Sequence, residues 1–210
     1  MGKLILSRHG ESVFNARSLW TGIWDVPLTK KGRHEATLMG EALAGLSPDE
    51  AYSSALLRAR DTLKIILRTN NWHIPLHISR QLNERDYGEL TGLNKWEVEK
   101  KYGDSQFSRW RRGWDAPVPD GETLKDVYNR AIPYFQTHIL PSLMTGKTVL
   151  VTAHGNTLRA LIKYLDDLSD DAVEKLEMPF GELLIYDFNE QGKVTKREKI
   201  IHIKTTLPPA

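Results

Sequence analysis

The sequence predicts an α/β fold: a three-layer sandwich with a mainly parallel sheet flanked by helices, in a single domain spanning residues 1–210. Three observations predict it. Short apolar runs alternate with longer amphipathic ones, as a sheet covered by helices requires. Two of those runs, KLILS at 3–7 and TVLVTA at 148–153, read as buried strands. The length of 210 residues supplies one sizeable core and is short for two.

The elements follow in order. After the strand at 3–7, Thr29 is placed to cap a helix whose apolar positions Ala36, Met39, Leu43 and Leu46 recur at spacings of three and four. Residues 51–53 form a weak strand, and 55–68 a helix with Leu63, Ile66 and Leu67 on its apolar side. A short strand at 76–78 follows Pro75. Residues 123–143 are mostly helical, with a kink expected at Pro133, which lacks the backbone N–H a helix needs. The strand at 148–153 leads to a helix at 157–165, and Ser169 caps another. Residues 183–188 and 194–203 close as a hairpin through Gln191-Gly192, and 205–210, ending Pro-Pro-Ala, read as a mobile tail. The stretch 83–122 is different: rich in Trp, Arg, Asp, Gly and Pro, with little periodicity, it reads as a long active-site excursion over one end of the sheet.

Composition narrows the function. A net charge of +2 gives no reason to expect nucleic-acid binding. Zero cysteines exclude a disulfide framework, a thiol nucleophile and a Cys-ligated metal, and fit a cytoplasmic protein. No targeting segment is recognisable, and no apolar run approaches the ~20 residues that span a bilayer, so no membrane partner is expected.

One internal echo carries the chemistry. KLILS runs into Arg8-His9-Gly10-Glu11-Ser12, and TVLVTA runs into His154-Gly155-Asn156. In open α/β sheets ligands sit at the carboxyl ends of strands, so neighbouring strands would bring both imidazoles into one pocket. Each glycine lets backbone approach an anion closely. A lone histidine after a strand more often bonds a carbonyl and does nothing else; two at matching positions, one beside Arg8, point to a shared site. Zinc sites favour close spacings with a carboxylate, whereas this pair is far apart in sequence and flanked by a cation. An anionic substrate is the better partner, and no metal is expected. His34, His73, His77, His138 and His202 have no comparable context. A neutral imidazole is a competent nucleophile toward phosphorus, provided that its other nitrogen donates to a carbonyl that fixes the tautomer. The charge spread over the transferring oxygens then calls for cations. Arg8 is one; Arg58, opening a helix after a short strand, is either a second or an ordinary surface arginine.

Together these residues resemble the histidine phosphatase superfamily, and within it the 2,3-bisphosphoglycerate-dependent phosphoglycerate mutases. The likeness runs over nearly the whole chain. Arg8-His9-Gly10-Glu11-Ser12 with Asn15 resembles the nucleophile motif, and Thr21-Gly22 the segment after it. Glu84-Arg85 with Tyr87-Gly88 and Lys95 resembles the mutase acid/base and substrate segment, Arg111-Arg112 the substrate clamp, and His154-Gly155-Asn156 with Arg159 the second-histidine motif. The resemblance implies that His9 carries the phosphoryl group and that Arg8, Asn15, Arg58 and His154 hold its oxygens. It makes Glu84 the general acid and base, for which the plain alternative is a loop salt bridge with Arg85. Ser12, Thr21, Gly22, Tyr87, Lys95, Arg111, Arg112, Gly155 and Asn156 would bind the rest of the substrate. The implied activity is interconversion of 2- and 3-phosphoglycerate in glycolysis and gluconeogenesis, primed by 2,3-bisphosphoglycerate. The alternatives are a histidine phosphatase acting on small phosphate esters, and a phosphate-binding module without catalysis. A homo-oligomer is compatible with the resemblance but not required by it.

The sequence also departs from the family pattern. Ile23 stands where a tryptophan usually follows Thr-Gly, and Phe180-Gly181-Glu182-Leu183 replaces a more usual Thr-Gly-aliphatic-Pro. An insertion found in longer relatives is missing between Ala116 and Pro119.

Overall fold

The computed structural model describes residues 1–200. The apolar runs become six strands, β1 (Gly2–Arg8), β2 (Glu50–Ser54), β3 (Leu76–Ser79), β4 (Thr148–Ala153), β5 (Leu183–Phe188) and β6 (Val194–Ile200). They form one sheet in the order β3-β2-β4-β1-β5-β6. The first four in that order pair in parallel, while β5 and β6 are antiparallel to their neighbours. The expected continuation of the last strand to residue 203, the tail at 205–210 and His202 lie outside the described residues.

The helices are α1 (Val13–Ala16), α2 (Lys30–Ala42), α3 (Leu57–Thr69), α4 (Lys95–Tyr102), α5 (Asp104–Arg112), α6 (Leu124–Tyr134), α7 (Leu140–Met144), α8 (Gly155–Leu165) and α9 (Asp170–Lys175). Strand side chains alternate between faces, and that alternation builds two cores. Ile5, Ala51 and Leu150 pack with Ala36, Met39, Leu63 and Ile66 of α2 and α3. Leu4, Leu6, Val149 and Val151 pack on the other face with Ile132, Phe135, Leu158 and Leu161. Each of the larger buried side chains contributes about 1.5–3 kcal/mol, and helices on both faces make this the three-layer sandwich that the alternation predicts.

Local signals set the ends. Thr29 Oγ1 accepts the N–H of Gly32 at 3.0 Å, and Thr123 with Asp126 forms a reciprocal capping box at the start of α6. Past Pro133 the winding widens to a π-turn over Phe135–Ile139 before α7, so the expected irregularity is a change of pitch. Two helix starts differ from expectation. Leu56 is extended, so α3 begins at Leu57, and His154 is extended, so α8 begins at Gly155.

The stretch 83–122 holds α4 and α5, which periodicity did not reveal. They are eight and nine residues long and bury only Val98, Phe107 and Trp110. Those three join Trp20, Tyr87, Leu90 and Val118 in a separate apolar cluster under the excursion.

Candidate active site

Register positions the two histidines. β1 and β4 are neighbours, with Ser7 opposite Thr152 and Arg8 opposite Ala153. The residue beyond each strand is a histidine, so His9 and His154 stand side by side with ring centroids 4.9 Å apart. The His9 backbone N–H donates to Ala153 O at 3.0 Å, extending the ladder by one bond. Gly10 then lies against the first turn of α2: a Cβ at Gly10 would come within 2.1 Å of Gly32 O, and one at Gly32 within 2.0 Å of Glu11 O. Only glycine permits both approaches.

His9 is buried, and its Nδ1 lies 2.7 Å from Gly10 O. A carbonyl can only accept, so Nδ1 carries the proton and Nε2 keeps its lone pair. Burial, then Arg58 and Arg8, holds the imidazole well below the usual histidine range, so it is neutral at pH 7. The same causes, led by burial, keep His154 neutral. His154 Nε2 lies 2.6 Å from Ser54 Oγ, while Nδ1 is buried without a protein partner among the described residues.

Arg58 is buried in the second position of α3, which removes its reading as a surface arginine. It donates to Trp24 O at 2.9 Å and Gly22 O at 2.8 Å, and burial lowers its pKa to about 10. Gly22 has φ +52, the left-handed region that favours glycine. Arg8 donates to Met178 O at 2.7 Å. The Nε groups of Arg8 and Arg58 and the Thr21 hydroxyl are buried with no protein hydrogen bond among the described residues. Buried polar groups are otherwise nearly always paired, so these donors are free to meet an acceptor from a ligand.

Glu84 makes no salt bridge with Arg85, whose guanidinium instead donates to Trp110 O and lies over the Tyr87 ring. Its Oε1 accepts three N–H bonds: from Arg85 N at 2.8 Å, Asn156 N at 3.2 Å and Asn156 Nδ2 at 3.0 Å. The loop carrying Glu84 is fixed by Arg130, which pairs with Glu122 at 2.8 Å and donates to the carbonyls of Asn83 and Glu84.

One cavity is lined by Arg8, Asn15, Thr21, Gly22, Glu84, Tyr87, Lys95, Arg111, Arg112, Gly155 and Asn156, with Trp20, Arg159, Glu177 and Met178. His9, Arg58 and His154 lie buried beside this wall rather than on it. Ser12 also stands behind the wall. It caps α1, and both its N–H and its hydroxyl donate to Asn15 Oδ1, which leaves the Asn15 amide Nδ2 for a ligand. Burial, then Arg111 and Arg8, lowers Lys95 to about 8. Arg112 pairs with Glu177.

Sequence reasoning gave no role to Arg130 or Arg159. Arg159 Nη1 donates to Asn156 Oδ1 at 3.0 Å, which turns the amide Nδ2 toward Glu84 and toward the Tyr87 hydroxyl at 2.9 Å. The available signal was an arginine one helical turn after Asn156, at a buried position of the helix. The departures resolve unevenly. Ile23 and Trp24 are exposed, Glu182 is buried, and Phe180 packs on Arg8 and His9.

The family model described as the histidine phosphatase superfamily (branch 1) matches residues 4–200. A protein of Mycobacterium leprae named 2,3-bisphosphoglycerate-dependent phosphoglycerate mutase is 46% identical, over 89% of this chain and 86% of that relative. One of the same name from Parvibaculum lavamentivorans is 43% identical, over 94% of this chain and 96% of its own. Among solved structures, a mycobacterial glucosyl-3-phosphoglycerate phosphatase superposes with a TM-score of 0.83, over 96% of this chain and 98% of that one. At 22% identity that likeness is one of fold alone.

Proposed function

The chain belongs to the histidine phosphatase superfamily, and on that premise we propose that it interconverts 2- and 3-phosphoglycerate, primed by 2,3-bisphosphoglycerate, with His9 as the phosphoryl carrier. The observation that carries the reading is one cavity with two sets of cations. Arg8 stands next to the buried nucleophile, and Lys95, Arg111 and Arg112 line the same cavity with Glu84. A phosphatase needs only the first set and a water. A mutase must also grip the end of the substrate that is not reacting, and keep the bisphosphorylated intermediate while it turns over.

The residues divide the work as follows. His9 Nε2, its tautomer set by Gly10 O, attacks phosphorus as a neutral nucleophile. Arg8, Arg58, Asn15 and His154 take the charge on the transferring oxygens, in the place a metal would otherwise fill. For return of the phosphoryl group, Glu84 accepts the proton of the attacking substrate hydroxyl. In the reverse direction it supplies that proton to the leaving oxygen. The bonds to Oε1 fix the carboxylate, so that it exchanges protons without moving. Lys95, Arg111 and Arg112 hold the carboxylate and second phosphate by charge-assisted bonds. The unsatisfied donors of Arg8, Arg58 and Thr21 and the cationic lining fit a doubly phosphorylated primer. The substrate is a small free anion.

A coupled assay with 3-phosphoglycerate, after exhaustive chelation and with and without catalytic 2,3-bisphosphoglycerate, tests the proposal. The expected result is turnover that depends on the primer and is indifferent to chelator. Release of inorganic phosphate in place of isomerisation, or activity restored only by Mg²⁺ or Mn²⁺, would overturn it.

A further inference from the structure

The peptide between Gly10 and Glu11 is held at both ends. Its carbonyl accepts the His9 Nδ1–H at 2.7 Å, and its N–H donates to Glu35 Oε2 at 2.7 Å. A trans peptide is a rigid plane with those two groups on opposite sides, so fixing one end aims the other. Glu35 stands on α2 one turn beyond Gly32, on the face that meets residues 10–11 backbone to backbone. Its carboxyl is buried, with Lys31 Nζ 3.9 Å from Oε1. Lys31 is closer to Glu11 Oε2, at 3.0 Å. The Gly10 N–H is held separately, by Thr62 Oγ1 of α3 at 3.0 Å. Glu35 does not line the cavity, so its action on the chemistry runs through the turn after β1.

We propose that Glu35 is a positioning residue for the nucleophile: through the Gly10–Glu11 peptide its carboxylate orients His9 and stabilises the charge that the imidazole gains on phosphorylation. This rests on the reading that His9 carries the phosphoryl group. In that step Nε2 bonds to phosphorus and the bond from phosphorus to the donor oxygen breaks. The oxygen leaves with the electron pair and takes a proton from Glu84. The ring keeps its Nδ1 proton and becomes positive, and Arg8 and Arg58 oppose that charge. Glu35 counters them by polarising the peptide that accepts the Nδ1 proton, as linked hydrogen bonds do in a low-dielectric interior. The aspartate of a Ser-His-Asp triad stabilises its imidazolium by a direct bond; here one peptide stands between carboxylate and ring. Burial raises the Glu35 pKa. The Glu11 N–H, Lys31 and Arg8 favour its charged form, and the Glu11 carboxylate opposes it.

The test times phosphorylation by radiolabelled 2,3-bisphosphoglycerate, by rapid quench, in wild type and Glu35→Gln. The glutamine keeps an oxygen for the Glu11 N–H and loses the charge. The expected result is phosphorylation about five-fold slower in Glu35→Gln at saturating ligand, the scale by which a charged acceptor exceeds a neutral one, with no loss of affinity. A rate equal to wild type, or a loss confined to affinity, would overturn the inference. A second measurement uses wild type alone and does not depend on the variant folding. In isotope-labelled protein followed by NMR, acidification should shift the Glu35 carboxyl, the Glu11 amide and His9 Nδ1 with one midpoint. A His9 Nδ1 resonance that ignores the Glu35 transition would also overturn the inference. A wild type that acquires no radiolabel would instead refute the phosphohistidine reading beneath it.

Discussion

At the scale of single residues, the site works by burying cations next to neutral bases. Burial first, then Arg111 and Arg8, lower Lys95 to about 8. A lysine loses its charge as pH rises through its pKa, and an anionic ligand favours the charged form. The account therefore predicts a KM for 3-phosphoglycerate that is flat from pH 7 to near 8 and rises above it. Lys95→Met should bind more weakly at pH 7 and show no inflection near 8; a wild-type KM flat to pH 9.5 would remove Lys95 from substrate binding. The two His-Gly steps and Arg8 were legible in the sequence because short motifs at strand ends carry them, and Glu84 only through the family resemblance. Arg130 and Arg159 were not. Each acts by a side-chain bond to an element distant in sequence, Arg130 on the carbonyls of Asn83 and Glu84 and Arg159 on Val173 O. Arg130 leaves no local period or motif, and the motif that contains Arg159 gives it no role.

At the scale of elements, the site depends on two alignments. One is the parallel register of β1 and β4, which sets His9 beside His154. The other is the contact of residues 10–11 with the first turn of α2, where Gly10 and Gly32 meet backbone to backbone. A methyl group at Gly32 must push Glu11 aside, and with it the loop that begins at His9. Gly32→Ala is thus predicted to lower both the melting temperature and kcat, although alanine is the better helix former by about 1 kcal/mol. A variant as stable and active as wild type would show that the α2 contact does not position the nucleophile. The strands and the helices on each face were legible because their apolar spacing faces a core. The helices α4 and α5 were not, since one or two buried positions in eight or nine residues leave no readable period. The exact start of α8 was also hidden, because nothing in His154-Gly155-Asn156 says that the helix opens directly after the histidine.

At the scale of the whole molecule, a chain with a net charge of only +2 gathers Arg8, Lys95, Arg111, Arg112 and Arg159 on one cavity wall and Arg58 close behind. Such a cluster is self-repelling, and the lowered pKa values of Lys95 and Arg112 record that repulsion behind the larger effect of burial. An anion with several charges relieves it, which makes the protein's stability responsive to its substrate. The sheet and helices hold the cluster together, and the excursion at 83–122 supplies Glu84, Lys95, Arg111 and Arg112 to it. The central claim is that His9 carries the phosphoryl group between substrates. Its most direct test is brief incubation with radiolabelled 2,3-bisphosphoglycerate, followed by mapping of the protein-bound label. The account predicts label on His9 that is lost in acid, survives base, is absent from His9→Ala, and passes to added 3-phosphoglycerate. Acid-stable label on a hydroxyl side chain, or full turnover in His9→Ala, would contradict it.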